Sequence, residues 1–103
     1  MNVGNAIKQI RRAKKLTQSE VAKGAGISQT AFSQIETGAS DPHKKTLEAI
    51  ATALGTKVSV IALLAIDASD VAENKKEAYN KIMPSLRKLM LQLLEGDPDE
   101  VIV

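Results

Sequence analysis

"LTQSEVAKGAGISQTAFSQIETG", residues 16–38, decides how this chain is read. Thr17 stands three residues before Glu20. At that spacing a hydroxyl and a carboxylate each accept one of the orphan N–H groups of a helix start. Val21, Ala22 and Ala25 then share one helical face. Gly24 and Gly26 stop the helix within about two turns, Gly26 being free to take positive φ. Ser28 caps a second short helix that closes at Gly38. At about 100° per residue, Ala31, Phe32 and Ile35 fall on one side of it. Gln29, Thr30, Ser33, Gln34 and Thr37 fall on the other, with Glu36 at the border. A surface helix usually carries lysine and glutamate there; this one carries amides and hydroxyls.

Outward from this segment, helical periodicity continues. Val3, Ala6, Ile7, Ile10 and Ala13 repeat at three and four residues and predict an amphipathic first helix, closed by Lys14 and Lys15. Leu47, Ile50, Ala51 and Leu54 predict a fourth helix over about 44–54, with Gly55 as its stop. "VSVIALLAI", residues 58–66, is apolar enough for a strand. Its neighbours are helical and it has no turn partner, so it reads as a short buried helix. A long helical pattern runs from about Ser69 to Glu95, where Gly96, Asp97 and Pro98 end it.

Composition excludes several function classes. The chain has 103 residues, enough for one small domain. Hydrophobic residues are 44% and charged ones 25%, the balance of a globular protein. No apolar run reaches the ~18 residues of a membrane span, and the basic start lacks an apolar signal core, so a mature cytoplasmic protein without membrane attachment is expected. Absence of cysteine removes disulfides, thiol nucleophiles and thiolate metal sites. With one histidine, no nucleophile–base pair and no phosphate-cradling glycine loop, neither an enzyme, nor a metal, nor a cofactor is expected. Aromatics are 2%, too few for the stacking platforms of single-strand binders. Residues 1–66 hold nine Lys or Arg against four acids, and residues 67–103 five against eight. A basic front and an acidic back point to polyanion contact in front and another task behind.

A short helix, a glycine turn and a second short helix form a helix-turn-helix arrangement. Residues 16–38 resemble that motif in the phage-repressor and Xre-like family. Ala22, Gly26, the apolar Val21, Ile27, Phe32 and Ile35, the "TQ" opening and the "IExG" close all match. The resemblance covers about residues 3–64 and implies a five-helix DNA-binding domain, leaving the tail after Asp67 outside it.

The resemblance implies that helix 28–37 enters the major groove of double-stranded DNA. Glutamine pairs bidentately with adenine N6 and N7. Gln29, Thr30, Ser33 and Gln34 are the candidate base contacts, the alternative being a solvated surface. Gln18, matching a family glutamine, is assigned a phosphate contact and a brace for Gln29. Thr37 either contacts phosphate or merely ends its helix. The resemblance also pairs Glu36 with Arg11. In "DPHKKTLEAI" the family's usual serine cap is replaced by His43. Lys44 and Lys45 occupy a first turn, where the helix dipole disfavours cations by ~0.3–1 kcal/mol. A phosphate at that helix end would explain both lysines; solvated lysines are the alternative. Lys8, Arg12, Lys14 and Lys15 are expected to add non-specific attraction.

The tail carries a broad apolar stripe. Ala78, Ile82, Leu86, Leu89 and Leu93 lie on one arc, which Tyr79, Met83, Met90 and Leu94 widen. Pro84 falls on the polar side and is expected to kink the helix. Such a stripe either folds back on the domain or pairs with a second copy. The closing "DPDEVIV" is acidic with an apolar tip and reads as an unstructured end or a strand docking on a partner. The expected organisation is a DNA-binding domain over 1–66 and a helical dimerisation extension over 67–103. The expected function is that of a homodimeric repressor on a palindromic operator. The alternative is an antitoxin-type interaction protein that binds a partner protein through its tail and regulates its own operator.

Overall fold

The computed structural model describes residues 1–95. Six α-helices follow in order: α1 (Val3–Ala13), α2 (Gln18–Ala25), α3 (Gln29–Thr37), α4 (Lys44–Ala53), α5 (Val58–Ala65) and α6 (Lys76–Leu94). Two short 3₁₀ turns, Ala68–Asp70 and Glu73–Lys75, join α5 to α6. The chain is all-α, with a repressor-like bundle followed by a long terminal helix.

Local chemistry accounts for most boundaries. Glu20 N–H donates to Thr17 Oγ1 at 3.0 Å, and Thr17 N–H to Glu20 Oε1 at 2.9 Å, closing a reciprocal cap. The hydrogen bonds from Thr17 hold the Glu20 carboxyl below its ordinary value. Gly26 ends α2 at φ 73°, and the Ile27 N–H returns to the Ala22 carbonyl at 3.0 Å. That left-handed residue turns α3 sharply away from α2. Ser28 Oγ accepts from the Ala31 N–H at 3.0 Å to start α3.

α1 packs on α3 and α5, α2 on α3 and α4, and α6 on α1. Phe32, Ile7, Ile10, Ile50, Leu54 and Ile61 are fully buried at the centre. Phe32 and Ile35 thus clamp the inner side of α3 to the bundle. The "VSVIALLAI" helix contributes Ile61, Leu64 and Ala65. Gly4 lies where α1 crosses the end of α3. A Cβ there would overlap the Ile35 carbonyl oxygen and stand 2.8 Å from that of Glu36. Only glycine allows that approach.

Two expectations need correction. Lys14 does not join the exposed basic side of α1, being only 5% exposed. It continues the register of Ile7 and Ile10, so its aliphatic stem lies along the buried face. The last helix does not begin near Ser69. The Asp67 and Asp70 side chains cap a single 3₁₀ turn, and Val71 is extended at φ −114°, ψ 136°. The cap competes with the apolar pattern and wins locally, so α6 starts at Lys76 and then runs through Pro84. Gly96, Asp97, Pro98 and the "DPDEVIV" end lie outside the described residues.

The apolar arc of α6 is divided. Leu94 is buried and Met90 packs against the core, as does Leu91, which lies outside that arc on the side read as polar. Tyr79 Oη and Arg87 Nη2 both donate to the Ile66 carbonyl, at 3.2 and 2.8 Å, and fix α6 across the end of α5. Ala78, Ile82, Leu86, Leu89 and Leu93 remain exposed, Ile82 at 61% and Leu93 at 80%.

Candidate nucleic-acid interface

α3 holds one side in the core and turns the other outward. Gln29, Thr30 and Gln34 are exposed and Ser33 is half-buried. These four, with Gln18 from the start of α2, line one open depression of about 340 Å³. The lining offers donors and acceptors side by side, with no charged group. An uncharged surface of this kind suits base edges, which present both donors and acceptors in the major groove.

Beneath the depression lies an ionic network. The Glu36 side chain is 2% exposed and that of Arg11 11%. Arg11 Nε donates to Glu36 Oε2 at 2.7 Å, and Arg11 Nη2 to Oε1 at 3.1 Å. Arg11 Nη1 donates to the Leu16 carbonyl at 2.9 Å. Gln18 Nε2 donates to Glu36 Oε1 at 2.8 Å. One carboxylate therefore ties α1, α2 and α3 together. A carboxylate this buried would be costly to leave unpaired, and Arg11 supplies the neutralising charge.

The structure brings Gln18, Gln29, Thr30, Ser33 and Gln34 together, with Arg11 and Glu36 below them. Thr37 does not line the depression. Its hydroxyl donates to the Gln34 carbonyl at 3.1 Å, an end-of-helix bond. Lys44 and Lys45 stand exposed at the start of α4, also outside the depression. His43 precedes them and makes no side-chain cap bond. The first turn of α4 thus keeps open N–H groups beside two cations, the chemistry of a phosphate contact.

Sequence reasoning missed the Gln18–Glu36 bond and the role of Gly4. The first joins residues 18 apart and has no local signature. The second had one: a glycine inside the apolar stripe of a helix signals a close backbone approach.

A family model described as "Helix-turn-helix" matches residues 7–61. The chain is similar to the immunity repressor protein of Bacillus phage phi105, at 36% identity over 92 residues, which is 85% of this chain and 64% of that protein. It is also similar to the ImmF control region 10 kDa protein of the same phage, at 39% identity over 64 residues, covering 62% of this chain and 71% of that one. A shorter match joins it to multiprotein-bridging factor 1 of Debaryomyces hansenii, 38% identical over 58 residues, covering 56% of this chain and 39% of that one. The chain thus spans less than two thirds of the immunity repressor's length.

Proposed function

The chain belongs to the phage-repressor-like helix-turn-helix family, and from that premise we propose that it is a DNA-binding transcriptional regulator, not an enzyme, that reads the major groove with α3. The observation that carries this reading is the uncharged depression lined by Gln18, Gln29, Thr30, Ser33 and Gln34. Gln29, at the first position of α3, reaches deepest and reads adenine through its amide. Thr30, Ser33 and Gln34 contact neighbouring base edges. Lys44 and Lys45 meet phosphates and fix register without reading sequence, as does Thr37 once its hydroxyl turns from the Gln34 carbonyl, while Gln18 gives its second N–H to a phosphate and braces Gln29. The names of the two phage relatives, an immunity repressor and a control-region protein, support repression by promoter occupancy.

Residues 1–66 form the DNA-binding unit of this proposal, and residues 67–103 its extension. The extension pairs two copies through Ala78, Ile82, Leu86, Leu89 and Leu93, which are exposed on α6. A single helix-turn-helix reads few base pairs, and a two-fold dimer doubles the site. A stripe of aliphatic side chains is also self-complementary, as a two-fold interface requires. The same stripe supports a second reading, in which a different protein docks on α6 as in an antitoxin. Sedimentation of the purified chain separates the two readings. A dimer favours the plain regulator, and a monomer that becomes a complex only with a second protein favours the other.

The DNA reading is tested by enriching duplexes from a random pool on the full chain. The expected product is a palindrome whose half-sites lie about one helical turn apart, ~34 Å. Recovery of duplexes with no common sequence contradicts it.

A further inference from the structure

We propose that Glu36 is a specificity-determining positioning residue: it fixes the direction of the Gln18 amide, and through it the donor–acceptor order that Gln29 offers to a base. The inference rests on the DNA-binding reading above and deepens it. A glutamine amide carries an acceptor and two donors on one planar group, and rotation about its terminal bond exchanges them. On an open surface that exchange is nearly free, so an unrestrained glutamine reads a base edge poorly. Gln18 is restrained. A carboxylate only accepts, so the Gln18 atom 2.8 Å from Glu36 Oε1 is the nitrogen. Turning the amide over would set two acceptors against each other and lose a charge-assisted bond.

Glu36 cannot swing away to permit that turn. Arg11 grips both its oxygens, at 2.7 and 3.1 Å, and is itself anchored to the Leu16 carbonyl at 2.9 Å. Phe32 and Ile35, both buried, hold the α3 segment that carries it. With its nitrogen held by Glu36, the Gln18 amide presents its carbonyl in one set direction, and Gln18 and Gln29 line the same depression. An acceptor there favours the Gln29 rotamer that turns one N–H toward it. The remaining N–H and the carbonyl of Gln29 then face outward in a set order, which matches adenine N7 and N6. The buried ion pair, which touches no base, accordingly decides which base is preferred.

The test uses the full chain, the duplex it enriches from a random pool, and versions of that duplex changed at the adenine assigned to Gln29. Preference is the ratio of dissociation constants. Glu36→Gln replaces an obligate acceptor by a group that can donate, frees the Gln18 amide, and still accepts from Arg11. It should lower the preference at that position by about fivefold to a hundredfold, the range of one bidentate base contact. Gln18→Leu should do the same, and the double substitution should lower it no further. A structural role alone would weaken every duplex equally, or would add to Gln18→Leu; either result overturns the proposal. If Glu36→Gln does not fold, the side-chain NH₂ of Gln18 in the unaltered chain is read by ¹⁵N–¹H NMR. One displaced, exchange-protected proton supports the assignment, and two solvent-like protons overturn it. A pool that yields no common duplex defeats the DNA-binding reading itself, and this inference with it. A selected duplex with unchanged preference in Glu36→Gln defeats the inference alone.

Discussion

α3 and α6 are both amphipathic and both anchor one side in the same core, yet they turn opposite chemistry to the outside. α3 buries Phe32 and Ile35 and exposes Gln29, Thr30 and Gln34. α6 buries Leu94 and exposes Ile82, Leu89 and Leu93. Burial of the inner side explains why each helix forms and stays in place. It does not explain the outer side, which costs nothing to fill with lysine and glutamate. Where the outer side departs from solvated charge, the function proposed above is placed. Amides and hydroxyls on α3 match the polar edges of base pairs. Aliphatic side chains on α6 match another apolar surface.

The largest break in this contrast comes from beneath α3. Arg11→Ala strands the buried Glu36 carboxylate, and loss of one partner of such a pair costs about 3–5 kcal/mol. Arg12, one residue on and exposed, should cost no more than ~0.5 kcal/mol when replaced by alanine. Equal thermal melts for the two variants would show that the network supports nothing.

Neighbouring leucines of α6 sharpen the other half. Leu94 is 1% exposed and Leu93 80%. Leu94→Ala should destabilise the chain by about 2–5 kcal/mol in denaturant titration, as a core truncation does. Leu93→Ala should cost less, and its cost should depend on protein concentration, because Leu93 is covered only when two copies pair. If both are silent, α6 does not close the core.

On the outer side of α6, charge should separate copies without unfolding them. Ile82→Lys or Leu89→Glu is expected to yield a folded monomer by sedimentation, with native helical signal. Tight operator binding should fall steeply while weak, salt-sensitive binding to any duplex persists. A charged variant that remains dimeric would move the pairing surface elsewhere.

The smallest effect concerns the start of α2. Thr17→Ala removes the reciprocal cap and should cost about 1 kcal/mol. The Glu20 carboxyl sits below its ordinary value because Thr17 hydrogen bonds favour its charged form. A lowered acid lends its stability above the unfolded value and loses it as pH falls through the folded one. Acid titration of the melt should therefore show a small loss below the ordinary carboxylate range, reduced in Thr17→Ala. An unchanged acid limb would dissociate the cap from stability.

What could be read without coordinates was whatever has a local cause. The Thr17–Glu20 spacing, the stop at Gly26 and the two-sided composition of α3 are each decided within a few residues. The arc of α6 was also visible, but not its division, because a wheel does not say which part meets α1. Val71 fell into the helical pattern by spacing, while the Asp67–Asp70 cap set a different local structure. Lys14 looked like a charge closing a stripe, yet its register with Ile7 and Ile10 had already placed it inward. Of the Glu36 network, the bond to Arg11 was expected from the family likeness. The bond to Gln18 depends on how α2 is set against α3, which no short spacing encodes.

If the exposed side of α3 reads sequence, replacing its first residue must change base preference and not affinity alone. The most direct measurement compares Gln29→Ala with the unaltered chain on the selected duplex and on its single-base variants, at one salt concentration. Loss of preference at one base pair per half-site, worth about 1–3 kcal/mol, with the other positions still discriminated, is the predicted result. Equal weakening on every duplex, with the whole pattern of preference intact, would contradict it.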